Sequence, residues 1–357
     1  MMVFGSSDSR DVYRGCFRRG RVVGFATLAG LLLMSGGLGG CAWVRSLMSV
    51  PVPVVSPAGI VTVGPRVYVT DASRGVIALS CKRTGAQACG PQFVVEGGAG
   101  AVGVSPDNRL LYATADKMTY VRVYGTDGTP RGRIETGKGP SAMVLTAGGK
   151  HAYVVNRGDD TLGELDLVAR KQVRSAPAGK DPISVCLSCD GRRVYVLLHR
   201  DHRVVAYNAA SLQQVGEASV GVDPFGMAVD PGGKFLYVTS FDSNRVDVLD
   251  SDTLKLVTEV RTDDGPYQVI ATRGGEIYVT CMLDGSVVSF KRGEWGKDAR
   301  RTKVGIRPYG LAASPDGSLL YVALEGERRV KVLSLPDMVE RDTVDVGMAP
   351  VGLFSGR

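Results

Sequence analysis

The chain has 357 residues, 44% of them hydrophobic and 22% charged, a balance that excludes a disordered polymer and allows a sizeable core. Its formal charge is +7, of which a surplus of three lies within residues 1–40. The remaining four are spread without a dense basic block, so a nucleic-acid partner is not expected. Glycine is abundant at 47 and aromatics few at 7%, which suits many short strands joined by tight turns.

The N-terminus reads as an address. Arg18-Arg19-Gly-Arg21 precedes an apolar run at 22–34, followed by SGGLGGC ending at Cys41. A basic region, a short apolar core and a small-residue exit predict a secretory signal peptide over 1–40 that is removed. The apolar run is shorter than the roughly 20 residues that a bilayer span needs. Leu38-Gly39-Gly40-Cys41 resembles the bacterial lipobox. That resemblance implies a mature protein starting at Cys41, lipidated (palmitate-bearing) there and anchored to the cell-envelope membrane. Ala42, in place of the Asp that favours inner-membrane retention, implies the outer membrane in a Gram-negative host, on its periplasmic or surface face. Residues 41–56, with alternating Val and Pro, read as the lipidated N-terminus and an extended tether.

From residue 57 onward the chain repeats. Tyr68-Val69, Tyr153-Val154, Tyr195-Val196, Tyr237-Val238, Tyr278-Val279 and Tyr321-Val322 recur, with Tyr112-Ala113 as a variant. Pro140, Pro182, Pro224, Pro266, Pro308 and Pro350 are evenly spaced, 42 residues apart. Each unit divides into four short strands. One follows the proline, and a turn such as SPDN (105–108) or SPDG (314–317) leads to a second that carries Tyr-Val. A β-branched third and a fourth complete the unit. Four strands in about 42 residues, repeated seven times, predict an all-β, seven-bladed β-propeller of four-stranded antiparallel blades over 57–357. The stretch 350–355, an eighth copy of the first strand, is expected to help close the ring.

The units YVVN (153–156), YVTD (68–71), YVTS (237–240) and YVTC (278–281) resemble the Tyr-Val-Thr-Asn repeat of the YVTN family of seven-bladed propellers. The resemblance covers nearly all of the mature chain. It implies the fold strongly and the function weakly, since relatives of this kind include lactonases, dehydrogenase subunits, surface-layer proteins and periplasmic proteins.

In such a propeller the first strands line the channel. The loops before them share one face, a funnel, with the loops between second and third strands. The candidate binding residues on that face are Asn156, Arg157, His199, Arg200, Phe225, Phe241, Asp242, Tyr267, Met282, Arg307, Tyr309 and Glu325. Their mix of charge and aromatic rings suits a small polar ligand or a protein segment. The first-strand letters IVTV, AVGV, AMVL, SVCL, GMAV, QVIA and GLAA contain no Asp, Glu, Asn or His, so neither a channel metal nor a cofactor is expected. No catalytic residue is assigned. The three histidines, His151, His199 and His202, form no triad by spacing, and Cys186-Leu-Ser-Cys189 is followed by Asp190 rather than by the His of a heme attachment site.

The cysteines suit an oxidising compartment. Cys81 and Cys89 flank the Gly-containing loop KRTGAQA, and a disulfide between them is expected. Cys186 and Cys189 form a candidate redox pair, and Cys281 is expected to be a buried thiol. Taken together, the reading is a monomeric, non-enzymatic, membrane-tethered propeller that binds an envelope protein or a small polar ligand. The alternatives are a lactonase-like or dehydrogenase-accessory enzyme and a surface-exposed adhesin.

Overall fold

A computed structural model describes residues 66–71, 75–82, 85–88, 93–95, 98–346 and 352–354. The predicted signal peptide, the Cys41 tether, Cys89 and the side chain of Cys81 lie outside the described residues. Six successive units each form a four-stranded antiparallel blade, spanning 102–135, 140–177, 182–219, 224–261, 266–303 and 308–345. In every one the strands lie in chain order from the channel outward.

The expectation of seven equal four-stranded blades is corrected here to six. The first unit forms a different sheet. Gly75–Lys82 pairs with Arg66–Asp71 on one side and with two short segments, Gly85–Ala88 and Phe93–Val94, on the other. Elsewhere that outer place belongs to a single strand. Here the sequence between the two segments contains Gly90 and Pro91, neither of which suits a strand interior. The inner place beside Arg66–Asp71 is taken by Gly352–Phe354, in the register Tyr68↔Phe354, Val69↔Leu353 and Thr70↔Gly352. The last copy of the first-strand motif therefore pairs with the first described strand.

The repeated letters have separable physical roles. The proline opens the innermost strand, where a donor is not needed, and one extra residue follows it as a bulge. The register slips between Pro224 and Met227, Pro266 and Val269, and Pro308 and Leu311. The valines Val154, Val196, Val238, Val279 and Val322 are completely buried between blades. Tyrosines of the same strand bury their rings and reach the next blade's outer turn. Tyr153 Oη donates to the Ala209 carbonyl at 2.9 Å, and Tyr195 Oη donates to that of Ser251 at 2.8 Å.

Threonine, third in the Tyr-Val-Thr motif, clasps adjacent blades. Thr239 Oγ1 accepts from the Gly226 N–H at 2.7 Å in its own blade and donates to the Tyr267 carbonyl of the next at 2.7 Å. Thr280 does the same between Gln268 N–H and the Tyr309 carbonyl, both at 3.0 Å. Thr114 links Ala101 N–H (2.8 Å) to the Ser141 carbonyl (3.0 Å). Where Val155 stands in the threonine's place, Ser141 Oγ takes over and donates to the Pro182 carbonyl at 3.1 Å. Each clasp satisfies a buried bulge that would otherwise be orphaned. Thr239→Val should destabilise the protein by about 1–3 kcal/mol, the cost of leaving buried partners unmade, as read from urea unfolding.

Candidate functional site

The funnel is built by two positions of the repeat. The residue before each proline adopts a left-handed backbone, with φ of 62° at Gly139, 59° at Asp181, 54° at Asp223, 71° at Gly265 and 54° at Arg307. That conformation favours Gly and tolerates Asp. Its carbonyl accepts from the N–H of the residue four past the motif tyrosine. The pairs are Arg157 to Gly139 (2.8 Å), His199 to Asp181 (3.0 Å), Phe241 to Asp223 (2.9 Å), Met282 to Gly265 (2.7 Å) and Glu325 to Arg307 (3.1 Å). A backbone ladder thus fixes both loops. The side chains of Arg157, His199 and Phe241 then lean onto the pre-proline residue of the following blade, whereas Glu325 pairs with Arg307 of its own blade.

Arg157 is the clearest product of this geometry. Its Nε and Nη2 grip the two oxygens of Asp181, Nη2 to Oδ2 at 3.0 Å, in the fork arrangement that only a guanidinium makes. Arg200 Nε lies 3.6 Å from the same Asp181 Oδ2. Asp116 Oδ2 stands 4.0 Å from Arg157 Nη1, while its Oδ1 is enclosed without a hydrogen-bond partner. Burial raises the Asp116 carboxyl to about 7, with Arg157 pulling it down and Asp181 pushing it further up. In the folded chain Asp116 therefore holds a proton through a range in which an ordinary carboxylate is ionised.

One blade further round, His199 is 4% exposed and its Nδ1 lies 3.1 Å from the Pro224 carbonyl. A carbonyl only accepts, so Nδ1 carries a proton toward it, while Nε2 faces Asp223 Oδ1 at 3.6 Å. Burial raises the Asp223 carboxyl, opposed by His199 and His202 and reinforced by Asp242. His202 Nδ1 accepts from the Asp223 N–H at 3.3 Å.

The bulges bring the aromatics into a row. Ring centroids run His199–Phe225 4.7 Å, Phe225–Tyr267 4.8 Å and Tyr267–Tyr309 4.5 Å, with Phe241 packing on Phe225 at 5.5 Å. Phe225 is half-buried, whereas Phe241, Tyr267, Tyr309 and Met282 lie almost entirely inside. Those four support the floor of the funnel more than they line it. Asn156 is completely buried, its amide donating to Thr161 Oγ1 at 3.1 Å, and so belongs to the strand end. Arg307 pairs with Glu325 at 2.9 Å on the far side, and Asp242 is exposed.

Asp116 was absent from the residues singled out by sequence, although the signal was present. Counting four past each tyrosine yields Asp116, Arg157, His199, Phe241, Met282 and Glu325 in one register. The Tyr112-Ala113 variant hid the first member.

Of the candidate redox pair, Cys186 is half-buried with its acidity suppressed by burial, and Cys189 is exposed with Sγ donating to the Asp230 carbonyl at 3.2 Å. A thiol kept protonated by its surroundings is a poor nucleophile. Cys281 is buried, its thiol pushed up to about 12. No disulfide occurs among the described residues.

The family model described as Cytochrome D1 heme domain matches residues 152–351, more than half of the chain. Among curated proteins none matches. Solved structures share the fold at low identity. Hydrazine synthase of Kuenenia stuttgartiensis is 20% identical with a TM-score of 0.60, over 66% of this chain and 76% of that one. A functionally unknown protein from Desulfotomaculum acetoxidans DSM 771 is 15% identical with a TM-score of 0.68, over 81% of this chain and 98% of that one. The periplasmic gluconolactonase PpgL of Pseudomonas aeruginosa is 16% identical with a TM-score of 0.66, again over 81% and 98%.

Proposed function

We infer that this protein, which belongs to the Cytochrome D1 heme domain family, is a cell-envelope binding module that holds a small polar ligand or a partner segment in its funnel without transforming it. The observation that carries the reading is Arg157, held on the funnel floor between Asp181 and Asp116 beside a row of rings. Charge placed at such a cost of desolvation, in a concave face, is characteristic of binding sites.

The family description raises the question of a heme, and the residues present do not fit one held by histidine. An axial ligand needs a lone pair facing open space. Nε2 of His199 faces Asp223, and its Nδ1 faces the Pro224 carbonyl, from a ring packed on Phe225. His202 accepts through Nδ1, so its neutral tautomer carries the proton on Nε2. His151 sits at the opposite end of its strand from the funnel, within 3.1 Å of Glu164. Tyr267 and Tyr309, almost fully buried, present little ring surface to the funnel.

Three further parts of the reading go with it. The sheet of 66–71, 75–82, 85–88, 93–94 and 352–354 is taken as the closure of the ring; its antiparallel pairing supports this. Cys41 is taken as the lipidated residue, from its place after the apolar run. An oxidised Cys81–Cys89 bridge would fit that compartment.

The test is joint substitution of Arg157, Arg200 and Glu325 by alanine in protein purified from membranes. Capture of an envelope partner or ligand by the wild type and its loss in the variant is the expected result. Lactone hydrolysis by the wild type that disappears in the variant would overturn the non-enzymatic reading. For the anchor, Cys41→Ala protein should leave the membrane fraction, and retention there would rule out lipidation as the anchor.

A further inference from the structure

The cross-blade relation that holds for Arg157, His199 and Phe241 leaves Asp116 without its partner. Going round the ring, Arg157 meets Asp181, His199 meets Asp223, and Phe241 packs where a side chain on Gly265 would stand. For Asp116 the corresponding residue is Gly139, which has no side chain to offer. A Cβ there would lie 3.0 Å from the Asp116 carbonyl and from the Gly158 nitrogen, so the backbone packing excludes one. Asp116 is therefore a carboxyl enclosed at Oδ1, open at Oδ2 toward Arg157, and unmatched by the blade that follows.

The charges nearby then decide what the site prefers. Two guanidiniums, Arg157 and Arg200, lean on the single carboxylate of Asp181. The Arg200 side chain is 56% exposed, leaving donors directed outward. Lys138, beside Gly139, is taken up by Asp159 at 3.8 Å, and Lys117, next to Asp116 in sequence, is exposed. With Asp116 ionised the set Arg157, Arg200, Asp181 and Asp116 is neutral; with Asp116 protonated it carries one positive charge. Phe225, half-buried against His199, offers a ring close to where Arg200 follows in the chain.

We propose that this cluster binds an organic carboxylate on the guanidiniums of Arg200 and Arg157, and that Asp116 takes up a proton from solvent as it binds. The guanidinium fork matches a carboxylate's two oxygens, and an arriving anion disfavours a second negative charge at Asp116. Because burial already holds Asp116 near 7, the competent protonated form is abundant at pH 6 and scarce at pH 8. This rests on the funnel being the binding face and adds the class of ligand.

The experiment is calorimetric titration of the purified full chain with benzoate, with benzamide and benzamidine as neutral and cationic analogues. Benzoate should bind about tenfold more tightly at pH 6 than at pH 8, following the protonated fraction of Asp116. Asp116→Asn, neutral at every pH, should bind benzoate with the pH 6 affinity at both values, and Arg200→Ala should lose binding while keeping its circular dichroism. Benzoate affinity that is flat or rises with pH in the wild type overturns the proposal, as does absence of benzoate binding at pH 6. Benzamidine binding that Arg200→Ala or Asp116→Asn abolishes overturns the anion and leaves the funnel reading standing. Benzoate binding unaffected by Arg200→Ala puts the probe elsewhere and overturns both.

Discussion

Gly226→Ala should cost the fold about 3 kcal/mol or more, the largest loss expected from any single methyl group described here. A Cβ at that position would stand 2.5 Å from the Tyr267 carbonyl of the next blade, 2.9 Å from Thr239 Oγ1 and 3.0 Å from Gln268 Cα. Two of those three atoms are backbone, so no side chain can swing aside, and adjacent inner strands would have to separate. Separation would also break the clasp by which Thr239 joins Gly226 to Tyr267. Urea unfolding measures the loss, and Gly148→Ala is the control. Nothing lies within 4 Å of a Cβ at Gly148, so its midpoint should barely move. Equal behaviour of the two variants would mean that the inner strands are not packed this closely.

Arg157→Ala should destabilise by about 3 kcal/mol, because it strands Asp181, whose side chain is only 9% exposed, and removes the cation beside Asp116. The lower end of the range for broken buried pairs applies, since Arg157 is itself 22% exposed and water can enter beside it. Adding Asp181→Ala should restore much of the loss, which gives a positive coupling in the double-mutant cycle. By contrast Arg203→Ala, which breaks a pair with Glu217 that is nearly half exposed on both sides, should change stability by less than about 1 kcal/mol. An uncoupled Arg157–Asp181 pair would make the funnel floor no different from any wetted face of the protein and remove the central support for the binding function.

The blades were legible because their determinants are local and periodic. A proline that starts a strand, a Tyr-Val pair that fills an inter-blade space and a Ser-Pro-Asp turn each act within a few residues, so the period survives substitution. The first unit broke the period because its outer strand is split into Gly85–Ala88 and Phe93–Val94, with Gly90 and Pro91 between them in the sequence. A repeat count cannot weigh that interruption. The site was legible as a ring of positions but not as a chemistry. Asn156, Tyr267 and Tyr309 share the right loops yet turn inward, which depends on how neighbouring blades pack. Asp116 is unusual through what the adjacent blade lacks at Gly139, a relation across 23 residues that no local pattern expresses. Cys186 and Cys189 have the spacing of a redox motif, while the burial of one and the carbonyl partner of the other come from contacts outside that motif.

The pairing of Gly352–Phe354 with Arg66–Asp71 has a consequence for how the molecule is made. A chain emerging from the ribosome can complete its middle blades one after another, each from contiguous residues. Its opening sheet must wait for residues 352–354 to appear. A product ending before residue 352 would leave the 66–71 edge bare, a template for other strands and a foothold for proteases. Closure of that sheet thus reports that the chain has been made through residue 354.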